Sequence, residues 1–250
     1  MTSDPPPVPT TWPELLARHA DPDAGRRGFD YCQRRFAGLA VESPFFAVPF
    51  ASCAECVAYT LVLRDAAVGA GLIGELAPYL ARIARDREEL NRMPPARIAA
   101  LSLVAMADLT GVALPATVGK AVPRMLAALG AYGTLDAEEA RQAIWAHLAF
   151  GEVAELGELL PGDLAAPPED GAFGPNVQGA QIQLARAIAH RAPAAAVVAT
   201  WDSYRNHTPR LVAARQGSML ELLLAARAMG CVLSGQAGPR VLDDLRAAVR

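Results

Sequence analysis

The sequence predicts an all-α protein made of irregular helical hairpins, packed as a compact bundle or a short α-solenoid. Three observations predict it. Apolar residues recur at spacings of three and four along most of the 250 residues, and no stretch alternates with period two for long enough to make a strand. Helix start and stop signals recur throughout. The composition is 52% hydrophobic and alanine-rich with only 6% aromatics, which suits helices that approach closely. Twenty prolines must then fall at helix ends and in connections, so the helices are many and short.

The elements follow in order. Residues 1–11, with Pro5-Pro6-Pro7-Val8-Pro9, read as a disordered tail. A main helical domain is expected over 12–166. Its first helix opens at Pro13, with Trp12, Leu15, Leu16 and His19 on the apolar side, and Asp21-Pro22-Asp23 breaks it. A second covers about 24–40, with Phe29, Cys32, Phe36 and Leu39 on one face and Arg26, Arg27, Arg34 and Arg35 mostly off it. Residues 43–50, Ser-Pro-Phe-Phe-Ala-Val-Pro-Phe, are too proline-interrupted for a helix and too apolar for a free loop. They read as a buried connection or as part of a binding surface.

Ser52 and Glu55 have capping-box spacing, so a helix is expected from 52 to about 70. Another is expected over 72–91, ending in a mixed charge run with Arg85 and Glu89 one turn apart. The stretch 95–160 is the organising centre. Ile98, Leu101, Ala105, Leu109 and Val112 share a face. Asp136 and Glu139 mark a new helix start, and Ala140, Ile144, His147 and Leu148 point inward, with a short helix over 152–160 to follow. Residues 167–175 read as a loop or linker, and 176–250 as C-terminal helices packed on the main domain. Within that part Asn176 caps a helix to about 191 and Pro193 opens one carrying Val197, Trp201 and Tyr204. Thr208-Pro209 starts the longest, Gly230 ends it, and Pro239 opens the last. No fixed repeat period of a solenoid family is present.

Charge and motif content narrow the function. The net charge is −3, and Lys120 is the only lysine, so the basic stripe of a nucleic-acid binder is missing. No signal peptide or membrane span is read, and four cysteines make no disulfide framework, so a reducing cytoplasm is expected. There is no Gly-rich phosphate loop, no nucleophile elbow and no metal-ligand spacing among His19, His147, His190 and His207. No cofactor or metal site is expected.

The sharpest local feature is Ser52-Cys53-Ala54-Glu55-Cys56. Two thiols three residues apart share a helix face. At a helix start, the free amides and the positive dipole end would favour a thiolate at Cys53. This segment is similar to the all-helical alkylhydroperoxidase-D-type proteins, which carry Cys-x-x-Cys at a helix start. The resemblance spans about twenty residues. A thiol-dependent reaction here would use Cys53 as the attacking thiolate and Cys56 as the resolving thiol, with Glu55 or His147 as candidate proton carriers. Those proteins follow the second cysteine with a histidine, where this chain has Tyr59 and Thr60. The competing reading is core packing, because Cys53, Cys56, Thr60, Leu63 and Ala67 form one helical stripe.

A second feature is 201–207, where Trp201, Tyr204, Arg205 and His207 supply residue types that dominate binding hot spots, at an expected helix end. Trp201 and Tyr204 serve equally well as core anchors. The leading expectation is a cytoplasmic helical module, of adaptor, scaffold or immunity type, that presents a surface to a protein or peptide rather than to nucleic acid or membrane. The alternative is a thiol-redox enzyme using the Cys53/Cys56 dithiol.

Overall fold

The computed structural model describes residues 9–41, 43–85, 94–130, 137–151, 177–235 and 238–250. No strand occurs among the described residues, and the chain is an all-α bundle. The helices are α1 (Trp12–Arg18), α2 (Ala24–Phe36), α3 (Pro44–Tyr59), α4 (Ala66–Ile83), α5 (Pro94–Thr110), α6 (Ala116–Gly130) and α7 (Ala137–Phe150). They continue as α8 (Val177–Ala189), α9 (Ala194–Ala213), α10 (Met219–Ser234) and α11 (Pro239–Val249). Of the expected tail over 1–11, residues 1–8, and of the charge run over 82–89, residues 86–89, lie outside the described residues, as do the start signal at 135–136, the short helix at 152–160 and the linker at 167–175.

The centre is α5. Every residue from Ala96 to Ala107 is buried, so this helix is wrapped on all sides, by α3, α4, α6, α7, α10 and α11. A solenoid unit touches only its neighbours; a helix ringed by six others makes a bundle. The second most buried helix is α10, which is covered from Met219 to Ala226 and packs on α7, α5, α9 and α3. Ser218 caps it by accepting the Glu221 N–H at 3.2 Å, and Gly235, at φ 73°, ends it five residues beyond the expected Gly230. Arg227 ties α10 to its neighbours. Its guanidinium bonds the Asp108 carboxylate of α5 at 2.7 Å and the Ala149 carbonyl at the end of α7, and lies over the Phe150 ring at 4.1 Å.

Two prolines that were expected to start or prevent helices lie inside them. Residues 44–50 are helical and open α3, with Ser43 accepting the Phe45 N–H, Pro44 in the first turn and Pro49 within. The reason is packing. Phe46, Phe50, Cys53 and Val57 form one buried stripe through the proline, and Phe46 and Phe50 lie 5.1 and 5.7 Å from the Phe36 ring of α2. In the same way α9 runs through Pro209, held by the buried row Val197, Trp201, Tyr204, Thr208 and Leu211. The Thr208 hydroxyl donates back to the Tyr204 carbonyl instead of capping a new helix.

The helix expected over 52–70 is interrupted. After Tyr59 the chain widens into a π-turn, Thr60–Arg64, and Asp65 then caps α4 by accepting the Ala67 and Val68 N–H groups at 2.7 and 3.1 Å. Gly69 lets α4 fold back on this turn, since a Cβ there would lie 2.5 Å from Leu61 Cδ2. The segment Phe45–Arg64 is long and apolar enough to cross a membrane by length and composition, contrary to the reading that no run qualifies; 67% of it is buried in this fold.

Candidate functional site

The α2–α3 pair carries most of the chemistry-bearing residues. The pair is antiparallel: Gly25 meets Thr60, Gly28 meets Cys56, Phe29 meets Cys53, and Phe36 meets Phe46 and Phe50. Glycine is required at position 25, because a Cβ would come within 2.4 Å of the Thr60 hydroxyl oxygen. At Gly28 it would touch the Cys56 sulfur at 3.0 Å. These two small residues let the helices close on each other.

Cys53 and Cys56 lie in the last two turns of α3, not at its first turn. The helix begins eight residues earlier than Ser52, so the free amides and positive dipole end expected at Cys53 are at Phe45 instead. Cys53 is fully buried and its thiol donates to the Phe29 carbonyl at 3.4 Å. Burial, then the neighbouring Cys32 and Cys56, push this thiol far above its ordinary value. Burial likewise pushes Cys56 up to about 12, with Cys32 and Glu55 adding to it. Three thiols therefore converge between α2 and α3, in surroundings that hold Cys53 and Cys56 protonated. Glu55 is half-buried beside Cys56 and Tyr59. His147 is fully buried in α7, which packs on α5, α6, α8 and α10.

Residues 201–207 do not end a helix; they are the middle of α9. Trp201 and Tyr204 are core. The Tyr204 ring stacks on Trp145 of α7 at 5.7 Å and touches Trp201 at 6.3 Å. Burial raises its hydroxyl well above the usual tyrosine value. Arg205 pairs with Asp202 at 3.0 Å, and the His207 ring shares a hydrogen bond with the Ser203 carbonyl at 2.7 Å. The four residues do not form one exposed surface.

Two features of the α2–α3 pair were not assembled by sequence reading. The first is an exposed apolar strip. Phe45 and Val48 are 76% and 66% exposed on α3, and Tyr31 is 57% exposed on α2. Tyr31 and Arg35 precede the inward Cys32 and Phe36, and Phe45 and Ser52 precede the inward Phe46 and Cys53. A step of one residue turns about 100° around a helix. In two antiparallel helices these turns carry both rows to the same outer side. The strip is edged by Arg34 and Arg35 in the last turn of α2, with Arg35 5.9 Å from the Tyr31 ring. The alternation of exposed Phe45 with buried Phe46 was the available signal, masked by Pro44 and Pro49.

The second feature lies at the other end of the pair. A cleft of about 180 Å³ opens between the end of α1, the start of α2 and the π-turn, lined by His19, Asp21, Tyr59, Leu63 and Arg64 among others. The His19 and Tyr59 rings meet at 5.0 Å. Burial, then Arg64 and Arg18, hold His19 below its ordinary value. Among the described residues no group of three His, Cys, Asp or Glu is arranged to hold a metal ion.

Compared with protein-family profiles, curated proteins and solved structures, the chain finds no match in any of the three. Cys53 and Cys56 keep the Cys-x-x-Cys spacing but lie in the last two turns of their helix, not at the helix start expected of them.

Proposed function

We propose that this chain is a helical binding module that recognises a protein or peptide through the Tyr31–Phe45–Val48 strip. The observation that carries the reading is Phe45. It is a large aromatic side chain, three-quarters exposed, on a helix whose opposite face is fully buried. Three large exposed apolar side chains on one helix pair, with Arg34 and Arg35 near Tyr31, supply the residue types of an interface centre, in which aromatic residues and arginine dominate. The arginines favour a partner segment that brings apolar side chains edged with carboxylates.

Selection from a displayed peptide library tests this. Binders should be rich in aromatic and acidic residues. Phe45→Ser or Arg35→Glu should weaken them by about 2 kcal/mol, roughly thirtyfold, while Val198→Ser on α9 has no effect. Thermal unfolding of the Phe45→Ser protein should match the parent, because no core contact is removed. The reading is lost if selected peptides bind all three variants alike. It is also lost if the strip proves to join two copies of this chain, so that Phe45→Ser converts a dimer to a monomer in sedimentation.

A further inference from the structure

We infer that the cleft between α1, α2 and the π-turn is a binding site for a small monocarboxylate with a compact apolar body. The inference is independent of the outer strip, which lies at the opposite end of the α2–α3 pair.

The anchor is Arg64. It lines the cleft, and its Nη2 is buried with no hydrogen-bond partner among the described residues. A buried guanidinium nitrogen left unbonded is costly, and a carboxylate supplies the planar acceptor pair that fits its fork. The nearest acid does not satisfy it. Asp21 has one oxygen bonded by the Asp23 N–H at 3.0 Å and the other by Arg27. Asp21 feels the charge of Arg64 without bonding it.

The backbone of Arg64 is held in place, because its carbonyl accepts from Arg246 of α11 at 2.8 Å. The Thr60 hydroxyl is also committed, to the Cys56 carbonyl at 2.7 Å. Arg64 and His19 are then the nitrogen donors of the cleft, beside the Tyr59 hydroxyl and the Cys56 thiol, while Asp21, already bonded at both oxygens, is its one carboxylate. His19 is held neutral by burial and by two arginines, so it offers one N–H to the second carboxylate oxygen. The remaining walls, Tyr59, Leu63, Ala24 and Gly25, are largely apolar and suit a short branched or ring body. A phosphate dianion would set two negative charges against the single guanidinium and the Asp21 carboxylate that share this cleft.

The test is titration of the full chain with isobutyrate, isobutyramide and inorganic phosphate, followed by the ring resonances of His19 and Tyr59. Isobutyrate should saturate and shift both rings; the amide and phosphate should not. Arg64→Gln should raise the isobutyrate Kd roughly tenfold or more. Ala24→Leu, which places bulk in the cleft mouth at an exposed helix start, should abolish binding while leaving Arg64 untouched. Binding of the amide or of phosphate as tight as that of isobutyrate overturns the inference, as does the absence of saturable isobutyrate binding. Wild-type affinity in Ala24→Leu overturns it as well, and decides the matter alone if Arg64→Gln fails to fold.

Discussion

At the scale of single residues, the thiols show how position decides chemistry. A cysteine at a helix start is a nucleophile in waiting; the same side chain two turns from the helix end, buried and bonded to a carbonyl, is packing. Cys53 and Cys56 keep their protons to well above the ordinary value of 9.0, largely because burial penalises the thiolate. The consequence for stability has a definite sign. Below the ordinary value neither state releases the proton and the thiols add no pH dependence. Above it the unfolded chain ionises while the fold does not, so stability falls as pH rises toward about 12. Denaturant midpoints should therefore decline between pH 8 and 10, and Cys53→Ala with Cys56→Ala should flatten that decline. Native alkylation of Cys53 should occur only as fast as the protein opens. Rapid labelling of Cys53 with an apparent pKa below about 8.5 would refute this account and restore the dithiol chemistry.

At the scale of elements, the closeness of α2 to the π-turn depends on one missing methyl group. Gly25→Ala gains helix propensity of up to about 1 kcal/mol. It also drives a Cβ to within 2.4 Å of the Thr60 hydroxyl, an overpacking that costs about 1–3 kcal/mol. The net result should be a loss of about 1 kcal/mol in chemical denaturation. Thr60→Ala removes the oxygen that is struck and leaves only Cβ, 3.7 Å away. The double variant should thus recover to the level of Thr60→Ala or better; simple additivity of the two losses would mean that the helices do not meet here. The same scale shows what sequence reading reaches. Pro193 and Pro239 sit at or beside helix starts as expected, because there the local signal and the packing agree. Pro49 and Pro209 mislead, because a local helix breaker is outweighed by a buried stripe that continues past it: Phe46 to Phe50 to Cys53 in α3, Trp201 to Tyr204 to Thr208 in α9. Asp65 misleads in the other direction. It cuts an apolar run that periodicity alone reads as unbroken. The site was legible only in parts. Residues 43–50 could be read as buried or as binding surface; Phe46 and Phe50 are buried and Phe45 and Val48 exposed, on different sides of one helix. The cleft around Arg64 gave no signal, since His19, Tyr59 and Arg64 are brought together by the α1–α2 turn and the π-turn.

At the scale of the whole molecule, the question is whether a chain of this length behaves as one cooperative body. The position of α5 argues that it does. It is buried along twelve consecutive residues and touches helices from the N-terminal side, α3 and α4, and from the C-terminal side, α10 and α11. Neither side can leave without exposing the apolar surface of α5, and such exposure costs about 25 cal/mol per Å². Arg227 reinforces the link by joining α10 to α5 and α7 through one side chain. Two probes report on the two sides separately: accessibility of Cys53 and Cys56 between α2 and α3, and, with Trp12 of α1 replaced by phenylalanine, fluorescence of Trp145 and Trp201 in α7 and α9. Their denaturant transitions should coincide in midpoint and in slope. Arg227→Leu should move both midpoints together by the same free energy, about 2 kcal/mol, through lost charge-assisted bonds and an orphaned carbonyl. If the thiols become accessible at a clearly lower denaturant concentration than the tryptophans, α5 is the boundary of two folding units rather than their shared core. The Arg227 variant would then shift the tryptophan transition alone.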